Sequence, residues 1–166
     1  RNVINKNLTE EDILKGCALA FSGSWERVKL YFMIGLPTET EEDLIGIADL
    51  SAKVVDKDYE IERDKKPRPV TVVASSSCFV PKPFTPFQWD AQDTYQQFSE
   101  KARLVKSHIA RKQIKYNYHD AKLSSLEGVM ARGDRRVAKV IYRAWEKGCR
   151  FDSWSEIFDF GKWMEA

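Results

Sequence analysis

Little in this chain suits the outside of a cell or a lipid bilayer. It has three cysteines in 166 residues, Cys17, Cys78 and Cys149. They form no CxxC pair and no local trio that could hold a metal or a cluster. Their number is odd and the first seven residues carry no apolar h-region, which argues against a disulfide framework and for a reducing compartment, the cytoplasm. Long hydrophobic runs are also missing. The longest, Val28–Ile34, falls far short of the roughly 20 residues of a spanning helix, so no membrane partner is expected. There is no internal repeat and no low-complexity tract. Charge of one sign is scarce overall, with a net of +2, too little to demand a nucleic-acid partner.

What is present is the material of a packed domain: 43% hydrophobic and 12% aromatic residues beside 31% charged ones. Charge is uneven, with 12 Lys and Arg against 17 Asp and Glu up to residue 100, and 15 against 8 from residue 101 onward. The basic C-terminal part permits a polyanion contact, while solvated helix faces would give the same composition.

Apolar residues at Ile13, Leu14, Cys17, Ala18 and Phe21 predict a first helix, with Thr9 and Asp12 in capping-box spacing and Gly23 as its end. Cys17, on that apolar face, reads as a small core residue. Val28–Ile34 reads as a strand covered on both faces. A second helix starts at Thr38 or Thr40, is acidic in its first turn, and buries Leu44, Ile47, Ala48, Ser51, Val54 and Val55. Residues Asp56–Pro69 read as a charged, exposed connection, and Val70–Ser77 as a second strand. The loop from Phe79 to Trp89 has prolines at 81, 83 and 86, which forbid helix, and four aromatic rings that need docking places. Further elements are a helix from about Thr94 to Arg111, a strand over Ile114–His119, and a short helix near Ser124–Met130. A longer helix runs from Asp134 to Lys147, with Val137, Val140, Ile141, Ala144 and Trp145 inward. The aromatic tail Phe151–Ala166 is expected to lie on the body. Alternating elements of this kind predict an α/β fold with about three parallel strands. Three strands leave an edge unpaired.

Ligands of parallel α/β folds sit at the C-terminal ends of strands. Two such ends are distinctive. Gly35-Leu36-Pro37-Thr38-Glu39-Thr40 would let a ligand approach the backbone, or is an ordinary capped turn. Ser75–Trp89 leads from hydroxyls into a rigid loop, which would also serve stability alone. His119 beside Asp120 could be an oriented base or a structural hydrogen-bonding residue. His108 reads as a surface residue. Arg132, Arg135 and Arg136 could hold a phosphate or face solvent. Gly133 should end one helix and Asp134 cap the next; the tripeptide Arg132-Gly133-Asp134 has no adhesive meaning without secretion.

Phe32–Asp43 resembles the fifth strand and following turn of radical S-adenosylmethionine (radical SAM) enzymes, where Gly-[Leu/Phe]-Pro-x-[Glu/Gln]-Thr turns are common. Ser77–Pro86 resembles the exit of the sixth strand, with its Pro-x-Pro-x-Thr-Pro pattern. Arg1–Lys6 is similar to the segment after the fourth strand. Phe79–Trp89, His119-Asp120 and Leu126–Arg136 are most similar to large radical SAM proteins with an N-terminal cobalamin-binding domain. Tyr118 and Ala121 stand where a Trp and a Pro are usual there. The resemblance spans nearly the whole chain.

The resemblance implies the C-terminal portion of a partial (β/α) barrel over residues 1–112 and a helical, aromatic-rich extension over 113–166. It implies S-adenosylmethionine and a [4Fe-4S] cluster as cofactors, and cobalamin as a further one, in a longer protein. It implies that Ile34, Gly35 and Leu36 line one side of the nucleoside and Ser77, Phe79 and Val80 the other, and it carries His119, Asp120 and Arg132 to the substrate side. The family's CxxxCxxC loop is not in this sequence, so the expected partner is an N-terminal remainder of the same polypeptide, and this chain alone is expected to be inactive. The substrate class, RNA or protein, stays open. The other reading is a non-catalytic α/β interaction or RNA-binding module that uses the basic C-terminal region and exposed aromatics.

Overall fold

The computed structural model describes residues 3–61 and 69–166. Three helices start on reciprocal capping boxes, in which a Thr hydroxyl accepts from the N3 backbone N–H and the N3 side chain accepts in return. These are α1 (Glu10–Ser22, on Thr9 and Asp12), α2 (Glu41–Tyr59, on Thr40 and Asp43) and α3 (Tyr95–His108, on Thr94 and Gln97). Thr40, not Thr38, is the cap of α2; Thr38 has a φ of 68° in the turn before it. The Thr40 backbone and hydroxyl hold the Asp43 carboxyl below its ordinary pKa. Because α2 continues to Tyr59, the first part of the expected connection is helical. Residues 62–68 of that connection, like Arg1 and Asn2 of the first segment, lie outside the described residues.

The strands β1 (Arg27–Ile34), β2 (Thr71–Cys78) and β3 (Ile114–Tyr118) form one parallel sheet in the order β1-β2-β3. The α/β class with an open three-stranded parallel sheet, expected from the alternating pattern, is the observed one. Residue Ile114 begins the third strand of the same sheet, so the segment from residue 113 onward starts within the sheet.

Register decides which side chains share a face. Val28, Leu30, Phe32 and Ile34 pair with Val72, Ala74, Ser76 and Cys78, and Ile114 and Tyr116 continue the set on β3. This face carries the core. Its lower half packs Val72, Ala74 and Ile114 against Cys17 and Phe21 of α1 and Val54 and Val55 of α2. Its upper half packs Ile34 and Cys78 against Leu44 and Ile47 of α2 and Phe98, Ala102 and Val105 of α3. Successive strands are neighbours, so both crossing helices return over the same side.

Among the described residues no helix covers the opposite face. Tyr31 is 77% exposed and Met33 39%, which corrects the expectation that β1 is covered on both sides. The apolar run is real, but sequential winding stacks every crossover on one face.

The C-terminal part departs further from the periodic pattern. Helix α4 (Ala121–Arg132) starts earlier than Ser124 because the Asp120 carboxylate accepts from the Leu123 N–H at 2.8 Å and caps it. Gly133 ends α4 as expected. Asp134 does not cap α5 (Val137–Glu146). Its carboxylate is taken by Arg136, through the backbone N–H and Nε at 2.9 Å, and α5 begins without a side-chain cap. The contact with Arg136 lowers the Asp134 pKa. Of the inward set expected for α5, Ala144 alone is fully buried; Ile141 and Trp145 are 47% and 52% exposed. The tail touches the body through α6 (Phe160–Met164), where the Phe160 ring meets the edge of Tyr95 at 5.6 Å. Phe151 and Trp154 remain in solvent.

Candidate functional site

The three strand exits lie side by side at one edge of the sheet. Ile34 and Cys78 are register partners. The Phe79 N–H donates to the Ile34 carbonyl at 2.8 Å, and the His119 N–H to the Ser76 carbonyl at 3.0 Å. Ladder pairing thus brings together Ile34, Gly35 and Leu36, then Ser77, Phe79 and Val80, then His119 and Asp120. With about 4.8 Å between neighbouring strands, the row spans about 10 Å. Arg132 is not in the row. It ends α4, about 18 Å of helix from Asp120 at 1.5 Å per residue, and donates to the Asp90 carbonyl at 3.0 Å.

The side chains in the row divide by role. Those of Ile34 and Phe79 are buried in the core, so these two residues can offer a ligand backbone at most. Leu36 and Val80 are half-buried. Ser77 lies between them in the row, its hydroxyl donating to the Phe32 carbonyl at 3.2 Å while its lone pairs stay available. Asp120 is committed to its cap, and His119 is exposed.

Gly35 is held more firmly than a simple turn needs. It is buried with a φ of 82°. A Cβ there would lie 2.4 Å from Phe98 Cε1 and 2.9 Å from Asp93 Oδ2. The glycine serves the close approach of α3, and its N–H is already engaged, donating to both Glu39 carboxylate oxygens at 3.0 Å. The Glu39 side chain, 7% exposed, also pairs with Lys101 Nζ at 2.8 Å, and Lys101 reaches Asp93 Oδ2 at 2.7 Å. Burial works against the Lys101 ammonium, but its bonds to Asp93 and Glu39 outweigh that and raise its pKa. This clamp ties the Gly-Leu-Pro turn to α3 and to the end of the proline-rich loop. Sequence reading missed it. The fourfold spacing of Glu39 after Gly35 was the one local signal; Lys101 and Asp93 join only through the fold.

The loop from Phe79 to Thr94 is fastened to α4. Lys82 pairs with Glu127 and Gln92 Nε2 donates to the Ser124 carbonyl at 2.9 Å, while within the loop the Thr85 hydroxyl donates to the Lys82 carbonyl at 2.7 Å. Two of its four rings dock, with Phe79 and Phe87 edge to face at 5.7 Å. The other two do not: Phe84 is 97% and Trp89 86% exposed. Gly128 makes room for this docking, since a Cβ there would lie 1.9 Å from Gln92 Oε1. Gln92 is flexible, so Gly128→Ala should cost about 1 kcal/mol, the value of the lost hydrogen bond. Chemical denaturation of Gly128→Ala, Gln92→Ala and the double variant should find the two losses strongly non-additive; additive losses would refute the contact.

The uncovered sheet face presents Lys29, Tyr31 and Met33 of β1, Ser75 and Ser77 of β2, and Lys115 and Asn117 of β3, as the register dictates. None of these strand residues is a carboxylate.

The residues present do not fit an iron–sulfur cluster. Among the described residues no three His, Cys, Asp or Glu side chains lie together as metal ligands. Cys17 belongs to α1, Cys78 ends β2, Cys149 follows α5, and all three are buried free thiols. Burial pushes each thiol pKa up, away from the thiolate a metal needs.

Fold and edge together define an α/β chain with a sequentially wound parallel sheet, its helices on one face and its motif-bearing turns at the C-terminal edge. No family model matches the chain, and no solved structure does. It is similar to uncharacterized protein MJ0966 of Methanocaldococcus jannaschii, with 29% identity over 141 residues, which is 85% of this chain. The chain spans 29% of the length of that protein. Among the described residues no helix is long and apolar enough to cross a membrane.

Proposed function

We propose that this chain supplies the adenine-side wall of an S-adenosylmethionine site in a radical SAM barrel. The observation that carries the reading is the adjacency of the two motif-bearing exits, joined by the Phe79 N–H to Ile34 carbonyl bond at 2.8 Å. A parallel sheet wound in sequence, with its helices on one side, is the arrangement of a (β/α) barrel segment, whose ligands bind at the C-terminal edge. The uncovered face is then the barrel interior. In this reading the purine ring rests on Leu36 and Val80, and Ser77 offers its hydroxyl. The glycine turn, held by Glu39, fixes the height of Leu36.

The cluster that cleaves S-adenosylmethionine belongs to residues outside this chain, because the cysteines here do not converge. The same holds for cobalamin, which the resemblance adds as a further cofactor of the whole protein. The isolated chain therefore binds the nucleoside weakly and has no radical activity.

The test is a titration of the 15N-labelled chain with 5′-deoxyadenosine up to about 10 mM, a range suited to a half-built site. Amide shifts should concentrate at Leu36, Ser77 and Val80. Shifts confined elsewhere, or none at the highest concentration, would overturn the assignment.

A further inference from the structure

We infer that α5 and the turn after it form a docking surface for single-stranded RNA, independent of the nucleoside site. Three features converge on one flank of this helix.

The first is a prebuilt stack. The rings of Tyr142 and Trp145 lie 5.8 Å apart at an interplanar angle of 26°. On the Trp145 ring rests the Arg150 guanidinium, 4.6 Å from its centroid. Gly148, with a φ of 88°, turns the chain back so that Arg150 can reach this place. Arg150 donates to the Trp145 and Cys149 carbonyls, each at 2.6 Å. Its partners are therefore a ring and backbone oxygens, and its positive charge is not cancelled. Tyr142 is 59% exposed, so its ring is accessible to a planar base.

The second is unpaired positive charge beside the open ring. Lys139 stands one helical turn before Tyr142, on the neighbouring position, and Arg135 lies in the turn that leads into α5. Among the described residues neither has an ion-pair partner, while Arg136 is paired with Asp134 and Lys147 with Glu165. The one carboxylate of α5, Glu146, lies one turn after Tyr142, and the cations Arg135, Lys139 and Arg150 outnumber it around the rings.

The third is that the apolar flank is left uncovered. Ile141 and Trp145 are half-exposed, although α5 is strongly amphipathic in sequence. A ligand that only needed charge would not need rings. One that only needed an apolar cover would not need cations placed beside them. A strand of bases and phosphates uses both, by stacking on rings and by placing phosphates at the adjacent cations. Charge complementarity thus selects RNA over an apolar protein segment.

The test is fluorescence anisotropy of this chain with a labelled oligouridylate of about 12 nucleotides, a length within the usual single-strand site sizes. Binding should weaken steeply with salt. Tyr142→Ala should weaken it about tenfold, within the range for loss of one stacked base, and Tyr142→Phe should keep it. Arg135→Gln with Lys139→Gln should reduce the salt slope by about 1.4, or 0.7 per phosphate contact on a single strand. These exposed positions leave the fold intact, which a thermal melt of each variant checks; the double Gln variant decides the matter if Tyr142→Ala melts early. No binding at low salt overturns the proposal. So does equal binding of duplex RNA or heparin with no effect of Tyr142→Ala, which would mean unspecific attraction, and so does apolar capture that salt leaves unchanged. None of these variants touches Leu36, Ser77 or Val80, so failure here leaves the 5′-deoxyadenosine result to stand or fall by itself.

Discussion

Gly35→Ala is expected to destabilise the chain by about 2–5 kcal/mol, the sum of a backbone and a packing penalty. The backbone part arises because the residue has a φ of 82°, where a Cβ costs about 1–2 kcal/mol. The packing part arises because that Cβ would sit 2.4 Å from Phe98 Cε1. The Phe98 ring cannot give way, being 1% exposed in the cluster of Ile34, Leu44 and Val105. Forcing an extra carbon into such a place costs about 1–3 kcal/mol. Against a typical domain stability of about 5–15 kcal/mol, the loss is large. Urea denaturation of both proteins measures it. A difference below about 1 kcal/mol would mean that α3 does not approach the turn as described. The nucleoside shifts at Leu36 should fade in parallel.

Glu39→Ala should cost about 2–4 kcal/mol, because a buried carboxylate with three contacts disappears. It leaves the Gly35 N–H without its acceptor inside the fold, and Lys101 keeps Asp93 alone. Glu39→Gln retains an oxygen for Gly35 and should cost clearly less. The pH dependence separates the two contributions. Lys101 has a raised pKa in the folded state, so its stabilisation is complete below the unfolded lysine value, near 10.4. It is lost as pH rises through the folded value above that. Unfolding free energies of the parent between about pH 9 and 12 should therefore fall through this window, and Glu39→Ala should fall less. Equal slopes would show that the clamp does not couple Glu39 to Lys101.

Much of the frame was legible because it rests on local rules. The Thr9, Thr40 and Thr94 caps depend on residues three apart, and the stripes Leu44–Val55 and Phe98–Val105 on helical spacing. The strands were bracketed to within a residue or two for the same reason. Local rules failed where solvent and chain competed for one face. Asp134 has the chemistry of a cap, yet Arg136 two residues on took its carboxylate. Ile141 and Trp145 follow the helical period, but α5 found no surface to cover them. The candidate site divides in the same way. The Gly-Leu-Pro turn and the proline-rich loop stood out as sequence, whereas their adjacency came from parallel pairing. Ile34, singled out as a lining residue, turned its side chain into the core, because alternation along a strand sends every second residue to the helix side; Phe79, just past β2, is buried edge to face with Phe87 of its own loop.

The sequence by itself determined the alternation of helices and strands and the caps at Thr9, Thr40 and Thr94, since each follows from spacing of a few residues, and the alternation in turn pointed to a parallel sheet. Tertiary structure alone decided which face of the sheet stays open, which rings remain in solvent, and that Glu39, Asp93 and Lys101 close on Gly35. The physical reason is that these depend on register and on packing between segments far apart in the chain. There the free energy is set by which surfaces meet, and not by what any short stretch prefers.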